Sequence, residues 1–146
     1  MLVKAILGPA RDRLVTITDR ATLIDAAKLL TSGTDLVIVC DGAGVLSGVV
    51  TKTDVVNQIS ACQGATCMCS AALVMTRDVA LCRGADPLQD VLRLMTERHI
   101  KNMPVVDENN RPIGVLTARA VLRALLSDAQ YEEAQLFDYV RGIGYQ

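Results

Sequence analysis

Hydrophobic positions along the chain fall into two kinds of run, and the two alternate. Leu36-Val37-Ile38-Val39-Cys40 is unbroken and rich in β-branched residues, as expected of a strand buried on both faces. Leu23, Ala26, Ala27, Leu29 and Leu30 instead recur at helical spacing behind Thr22, a residue type that caps a helix start. Leu14-Val15-Thr16-Ile17 reads as a strand ahead of that helix. Asp41-Gly42-Ala43-Gly44 carries turn chemistry, so the strand that follows, Val45 to Val50, is expected to return beside the preceding one as a hairpin. Thr51 then leads into a helix from Asp54 to about Ile59. The predicted order is strand, helix, strand, strand, helix.

The same order returns further on. Val79-Ala80-Leu81-Cys82 reads as a strand, and a helix opened by Asp86-Pro87 runs from Leu88 to Arg98, since an acid can cap and proline fits the first turn. The strand Met103-Pro104-Val105-Val106, the turn Asp107 to Asn110, the strand Pro112 to Leu116 and a helix Ala118 to Leu126 complete it. Gly48-Val49-Val50-Thr51-Lys52-Thr53-Asp54 matches Gly114-Val115-Leu116-Thr117-Ala118-Arg119-Ala120 at a spacing of 66, as Asp41 matches Asp107; Leu23 and Leu88 match at 65. One residue is therefore inserted in the second copy, after its first helix. Each copy has about 50 to 60 residues, the lower edge of what folds alone, so two copies burying a shared face in one pseudosymmetric domain is the expectation. Asp54 is matched by Ala120, so the copies share a scaffold and differ in chemistry. Pro104 removes a ladder hydrogen bond on one side of its strand.

Composition narrows the function. With 146 residues, 51% hydrophobic and 21% charged, the chain can bury a core and shows no sign of disorder. A net charge of -1 from 15 basic and 16 acidic residues leaves no footprint for nucleic acid, and 3% aromatic residues give no stacking platform for single strands. No apolar run approaches the ~20 residues of a membrane span. The apolar start is too short for a signal-peptide core and runs into Arg11-Asp12-Arg13, so a cytoplasmic location is expected. Five cysteines, an odd number, argue for reduced thiols. Cys62, Cys67 and Cys69 cluster between the copies, which keeps open a thiol- or metal-responsive module; against it, a closed zinc site wants four ligands and no paired CxxC spacing is present. Otherwise they are small apolar fillers, and Cys40 and Cys82 belong to the core. His99, the one histidine, stands at a helix end with no partner nucleophile or carboxylate beside it, so it is read as a cap residue and no catalysis is expected.

The repeat, Val74-Met75-Thr76-Arg77-Asp78 ahead of the second copy, Lys101-Asn102-Met103-Pro104-Val105-Val106-Asp107, and the Gly-h-h-Thr-x-Thr-Asp ending together resemble a tandem pair of CBS domains, the Bateman module. The chain further resembles small stand-alone bacterial CBS-pair proteins. The resemblance implies an α/β (α+β) fold of two β-α-β-β-α repeats packed with pseudo-two-fold symmetry. It divides the chain into an N-terminal helix or lead-in over 1–12, repeats over 13–60 and 74–126, a cysteine-containing linker over 61–73, and a helical extension over 127–146. It also implies a regulatory, non-catalytic sensor that binds an adenine nucleotide such as AMP, ATP or NAD and acts on a regulated protein the chain does not identify.

The site residues so implied are Asp54 for the ribose, Thr51 and Thr53 for phosphate, the backbone near Val37 and Ile38 for the base, and Gly48 for close approach. A carboxylate offers paired acceptors to two vicinal hydroxyls, and hydroxyls and amides at a helix start welcome an anion. The plainer alternative is that Thr51 and Asp54 only cap their helix. In the second copy Thr117 persists and Arg119 stands for the second threonine, so Arg119 or Lys101 could meet phosphate without a ribose acceptor. CBS pairs commonly form head-to-head homodimers, in which Lys101 and Asn102 are candidates to face phosphates held by the other subunit. A purely structural dimerisation unit with a degenerate pocket is a third reading. The stretch from Ser127 to Arg141 has helix-forming composition and meets a stop at Gly142; its apolar end, Leu136, Phe137, Tyr139 and Val140, is expected to anchor on the body or on a second subunit.

Overall fold

The computed structural model describes residues 1–61 and 69–144. A 3-10 turn (Val3–Ile6) leads into helix α1 (Leu7–Asp12), then β1 (Thr16–Thr18), α2 (Leu23–Leu29), β2 (Leu36–Cys40), β3 (Leu46–Thr51) and α3 (Lys52–Ala61). The second copy follows as α4 (Ala71–Val74), α5 (Leu88–Arg98), β4 (Asn102–Val106), β5 (Pro112–Thr117) and α6 (Ala118–Gly144). Thr22 caps α2 in a reciprocal box with Asp25, each side chain bonding the other's backbone N–H. In the hairpins, Asp41 Oδ1 accepts from the N–H groups of Ala43 and Val45, and Asp107 Oδ1 accepts from those of Asn109 and Arg111. Gly44 and Asn110 supply the positive φ, 82° and 61°, that closes each turn. The ladders repeat as faithfully: Val39 faces Gly48 and Val105 faces Gly114, with a register shift directly after each.

Two sheets result, one of order β1-β2-β3 with β1 parallel to β2, the other the hairpin β4-β5. The strand expected over Val79 to Cys82 is reduced to a bridge between Cys82 and Val105. The reason lies in the facing strand. Ile38 N–H donates to the Val15 carbonyl at 2.9 Å and draws β1 into the first sheet, whereas its counterpart Pro104 has no N–H to give. Asp86 also departs from expectation: its carboxylate accepts from the Arg83 N–H at 2.8 Å, and Pro87 at the helix start has no side-chain cap. Helix α6 continues past Leu126 and through Gly142 to Gly144 without a break, glycine in a last turn costing a helix only about 1 kcal/mol.

The lead-ins are exchanged between the copies. Val3 and Ala10, ahead of the first copy, are buried in the core of the second with Leu88, Met95, Met103 and Leu116. Ala71 and Met75, ahead of the second copy, are buried in the core of the first with Ala26, Val39 and Val50. A third cluster joins the sheets through Leu36, Ile38, Cys40, Val49 and Val115, the last two being repeat counterparts. Neither half can therefore complete its core without the other's leader.

Candidate functional site

Between the copies lies a cavity of about 560 Å³. One wall is apolar, formed by Leu36, Val49, Val79, Ala80, Ile100 and Pro104; the other carries the hydroxyls of Thr51, Thr53 and Thr76 beside Lys52, Arg98, His99 and Lys101. Thr51 ends β3 and Lys52 begins α3 with no residue between, so the strand delivers a helix start to the cavity rim. Asp35 and Asp78 also line it, each in an ion pair, with Lys52 at 3.1 Å and with Arg98 at 3.7 Å. Such exposed pairs are worth little, so an entering anion can recruit the cations without a large penalty.

Asp54 does not line this cavity. Its Oδ2 accepts from the Thr51 N–H at 2.9 Å and the Thr51 hydroxyl at 3.1 Å, while Thr51 Oγ1 accepts from the Asp54 N–H at 3.3 Å. The Thr76 hydroxyl donates to both carboxylate oxygens, at 3.2 and 3.3 Å. The carboxylate thus stands behind a rim of two threonines, in the capping role that sequence reasoning held open as the alternative. Val37 and Ile38 are also not at the cavity: both are fully buried in the middle strand of the three-stranded sheet, which uses the Ile38 N–H on Val15. Leu36, one residue nearer the strand end, reaches it instead. Gly48 is required by the protein itself, since a Cβ there would lie 2.7 Å from the Thr76 carbonyl oxygen and 2.8 Å from Met75 Sδ. That close approach lets Thr76 and Val49 exchange backbone hydrogen bonds of 2.8 and 3.0 Å.

Thr51, Thr53, Lys101 and Asn102 do line the cavity; Thr117 and Arg119 belong to a second cleft on the far side of Asp35 and Asn102. Sequence reasoning missed Thr76, Val79 and Ala80, which reach the first copy's site from the second copy's leader. Their one signal was the Val74 to Asp78 segment, quoted as a motif without a place. His99 is the C-cap of α5 in the left-handed conformation, φ 54°, which turns the chain into the cavity.

The cysteines stand apart. Burial pushes the Cys82 thiol up to about 12, with Asp86 adding to the shift, and burial followed by Asp41 raises that of Cys40. Neither is a thiolate near neutral pH. Cys62 and Cys67 lie outside the described residues, and Cys69 is half-buried. Among the described residues no group of three or more His, Cys, Asp or Glu could hold a metal, and no helix is long and apolar enough to cross a membrane.

Two sheets built from one repeat around a shared cavity define a class. The CBS domain profile matches residues 3–61 and 71–127, and the chain belongs to the CBS domain family. It superposes with a TM-score of 0.73 on CBSX2 solved in complex with AMP, at 27% identity over 88% of this chain and 98% of that one. It also matches a CBS domain pair in complex with 5-methylthioadenosine and S-adenosyl-L-methionine, with a TM-score of 0.72 at 26% identity over 88% of this chain and 98% of that one. Among curated relatives, homoserine O-acetyltransferase of Methanosphaera stadtmanae is 33% identical over 105 residues, 70% of this chain. The chain spans only 20% of that enzyme's length, so the acetyltransferase activity is a property of the longer protein. The family and these neighbours make the chain a ligand-binding regulatory module.

Proposed function

We propose that the cavity between the copies binds an adenosine-containing ligand such as AMP, ATP or NAD. The observation that carries this is the division of one cavity of about 560 Å³ into an apolar wall and a rim of three threonines and several cations. The base packs on Val79, Ala80 and Pro104. Thr51, Thr53, Lys52 and Lys101 meet the phosphates, with the start of α3 adding its dipole. Asp54 takes the ribose by exchange, a sugar hydroxyl replacing the Thr76 hydroxyl as donor, so the carboxylate is never left bare. The adenosine ligands of the two structural neighbours support the ligand class.

The working unit we infer is a homodimer. Helix α3 buries no side chain and exposes Val56 (59%) and Ile59 (64%), and α6 exposes Leu122 (46%) and Leu126 (61%); Val56 and Leu122 are repeat counterparts, so each copy offers an equivalent exposed apolar helix to a second subunit. Ligand binding that favours one angle between copies then biases a cytoplasmic partner or a fused domain, which requires different affinity for the two states. Titration calorimetry with AMP, ATP and NAD tests the ligand. At least one should bind and raise the melting temperature with occupancy. Thr76→Val should leave that affinity nearly unchanged while Asp54→Ala lowers it by roughly ten- to a hundredfold; silence from all three ligands overturns the reading.

A further inference from the structure

The second cleft carries unpaired positive charge where the first pairs Lys52 and Arg98 with acids. Three hollows share Thr117: one of about 290 Å³ between α1 and α6, an open groove along α6 of about 970 Å³, and a small one of about 100 Å³ behind Asn102. Arg13, Arg119 and Arg123 line the first of these together. Their counterparts in the first copy are Asp78 at a spacing of 65, and Thr53 and Asn57 at 66. Ala120 stands where the first copy has Asp54, and the leader met by Gly114 is Ala10, which has no hydroxyl. None of the three guanidinium groups makes a hydrogen bond or ion pair among the described residues. The one acid at the cleft, Asp35, is held by Lys52 at 3.1 Å.

The missing carboxylate also changes Thr117. In the first copy the Thr51 hydroxyl gives its proton to Asp54, whereas Thr117 Oγ1 only accepts, from the Ala120 N–H at 3.1 Å. Its proton is free for a ligand, as is that of Ser127 on the same wall. Three planar guanidinium forks and two hydroxyls around a small hollow, without an acid to grip a sugar, suit the paired oxygens of tetrahedral phosphoryl groups.

We propose that the second cleft is an oligophosphate site, which recognises a chain of two or three phosphoryl groups by Arg13, Arg119, Arg123 and Thr117 and needs neither base nor ribose. The proposal does not depend on what fills the first cavity. Titration calorimetry of the full chain at low ionic strength, with inorganic pyrophosphate, inorganic triphosphate, ATP and adenosine as separate arms, tests it. Inorganic triphosphate should bind and adenosine should not at this cleft; Arg119→Glu and Arg123→Glu should each weaken triphosphate on the order of tenfold or more. Both side chains are exposed and unpaired, so the variants should melt as the parent does, and Arg119→Gln should weaken binding less than Arg119→Glu. Asp54→Ala should leave the triphosphate isotherm unchanged. Three outcomes overturn the proposal: no heat from either inorganic anion, binding indifferent to both charge reversals, or an Arg119-dependent signal from ATP with none from inorganic triphosphate, which would mean the base is needed.

Discussion

The first and second copies differ least where the backbone makes its own rules and most where a side chain faces open space. Their hairpins agree in the aspartate that closes the turn, the residue with positive φ, the glycine in the ladder and the register shift beside it. The space in front of those hairpins agrees in almost nothing. The first cleft has three hydroxyls, with the Asp54 carboxylate behind them; the second has three unpaired guanidinium groups. A repeat of this kind preserves geometry because each hairpin needs it to fold, while side chains that face open space are under no such constraint.

The glycine pair is where this comparison can be broken most violently. Gly48→Ala places a methyl group 2.7 Å from a backbone carbonyl that is itself held by Val49, whereas Gly114→Ala meets Ala10 no closer than 3.1 Å, a milder overlap. Overpacking costs about 1 to 3 kcal/mol, so Gly48→Ala should sit at or above the top of that range and Gly114→Ala near the bottom. Urea unfolding of the two variants should separate them by about 2 kcal/mol at unchanged m-value. Equal costs would mean that the leaders are held alike and that the exchange of leaders is no source of asymmetry.

Next in size is the acid. Removing Asp54 takes away a capping residue worth about 1 kcal/mol and, by the reading proposed above, the ribose acceptor. Asp54→Ala should therefore lower the melting temperature by a few degrees, and it should also cut the affinity for AMP, ATP or NAD by roughly ten- to a hundredfold. Ala120→Asp is the reciprocal experiment. It should give Thr117 the box that Thr51 has and raise stability slightly, while weakening oligophosphate at the second cleft by placing a negative charge against it. An Asp54→Ala protein that is less stable yet binds nucleotide as before would reduce Asp54 to a cap.

What was legible in the sequence was what neighbouring residues decide. The run Leu36 to Cys40, the cap Thr22, the turn at Asp41 and the helix Leu88 to Arg98 all stand where hydrophobic period and turn chemistry put them. The spacing of 66 was enough to expect a shared core. The site was legible in part: Thr51, Thr53, Lys101 and Asn102 reach the cavity, but Asp54 hides behind Thr76, and Val37 and Ile38 are walled into the middle strand. Thr76, Val79 and Ala80 could not have been placed, because the exchange of leaders is a contact between segments far apart in sequence that no local pattern encodes. The C-terminal stretch divides the same way. Its helix was foreseen, but the described side chains from Ala129 onward are exposed, Leu136 at 64%; Phe137, Tyr139 and Val140 have side chains outside the described residues.

A smaller effect tests why the second sheet lacks its third strand. Pro104→Ala restores the N–H that Ile38 uses in the first copy, and its amide should bond the chain near Ala80 and exchange slowly with solvent. Stability should move by less than about 1 kcal/mol, since the new bond is offset by lost proline rigidity. A fast-exchanging amide at position 104 would place the cause of the missing strand elsewhere.

The finest contrast is between Cys40 and Cys82, and it appears only in alkali. The Cys82 thiol is pushed up to about 12 from an ordinary 9.0, chiefly by burial. A folded state that holds its proton longer than the unfolded chain is stabilised by it fully below about pH 9, and loses that contribution as pH climbs towards about 12. Melting temperature should therefore fall over that window, and Cys82→Ala should flatten the fall although it leaves a small cavity and melts lower at pH 7. Cys40, raised in the same direction by weaker burial, should contribute less to the slope. The same order governs labelling: a thiol reagent at pH 8 should modify Cys82 last, since both access and thiolate population are against it. Early modification of Cys82 in folded protein would show that the second copy opens more readily than its packed core implies, and that the two halves differ in dynamics as well as in charge.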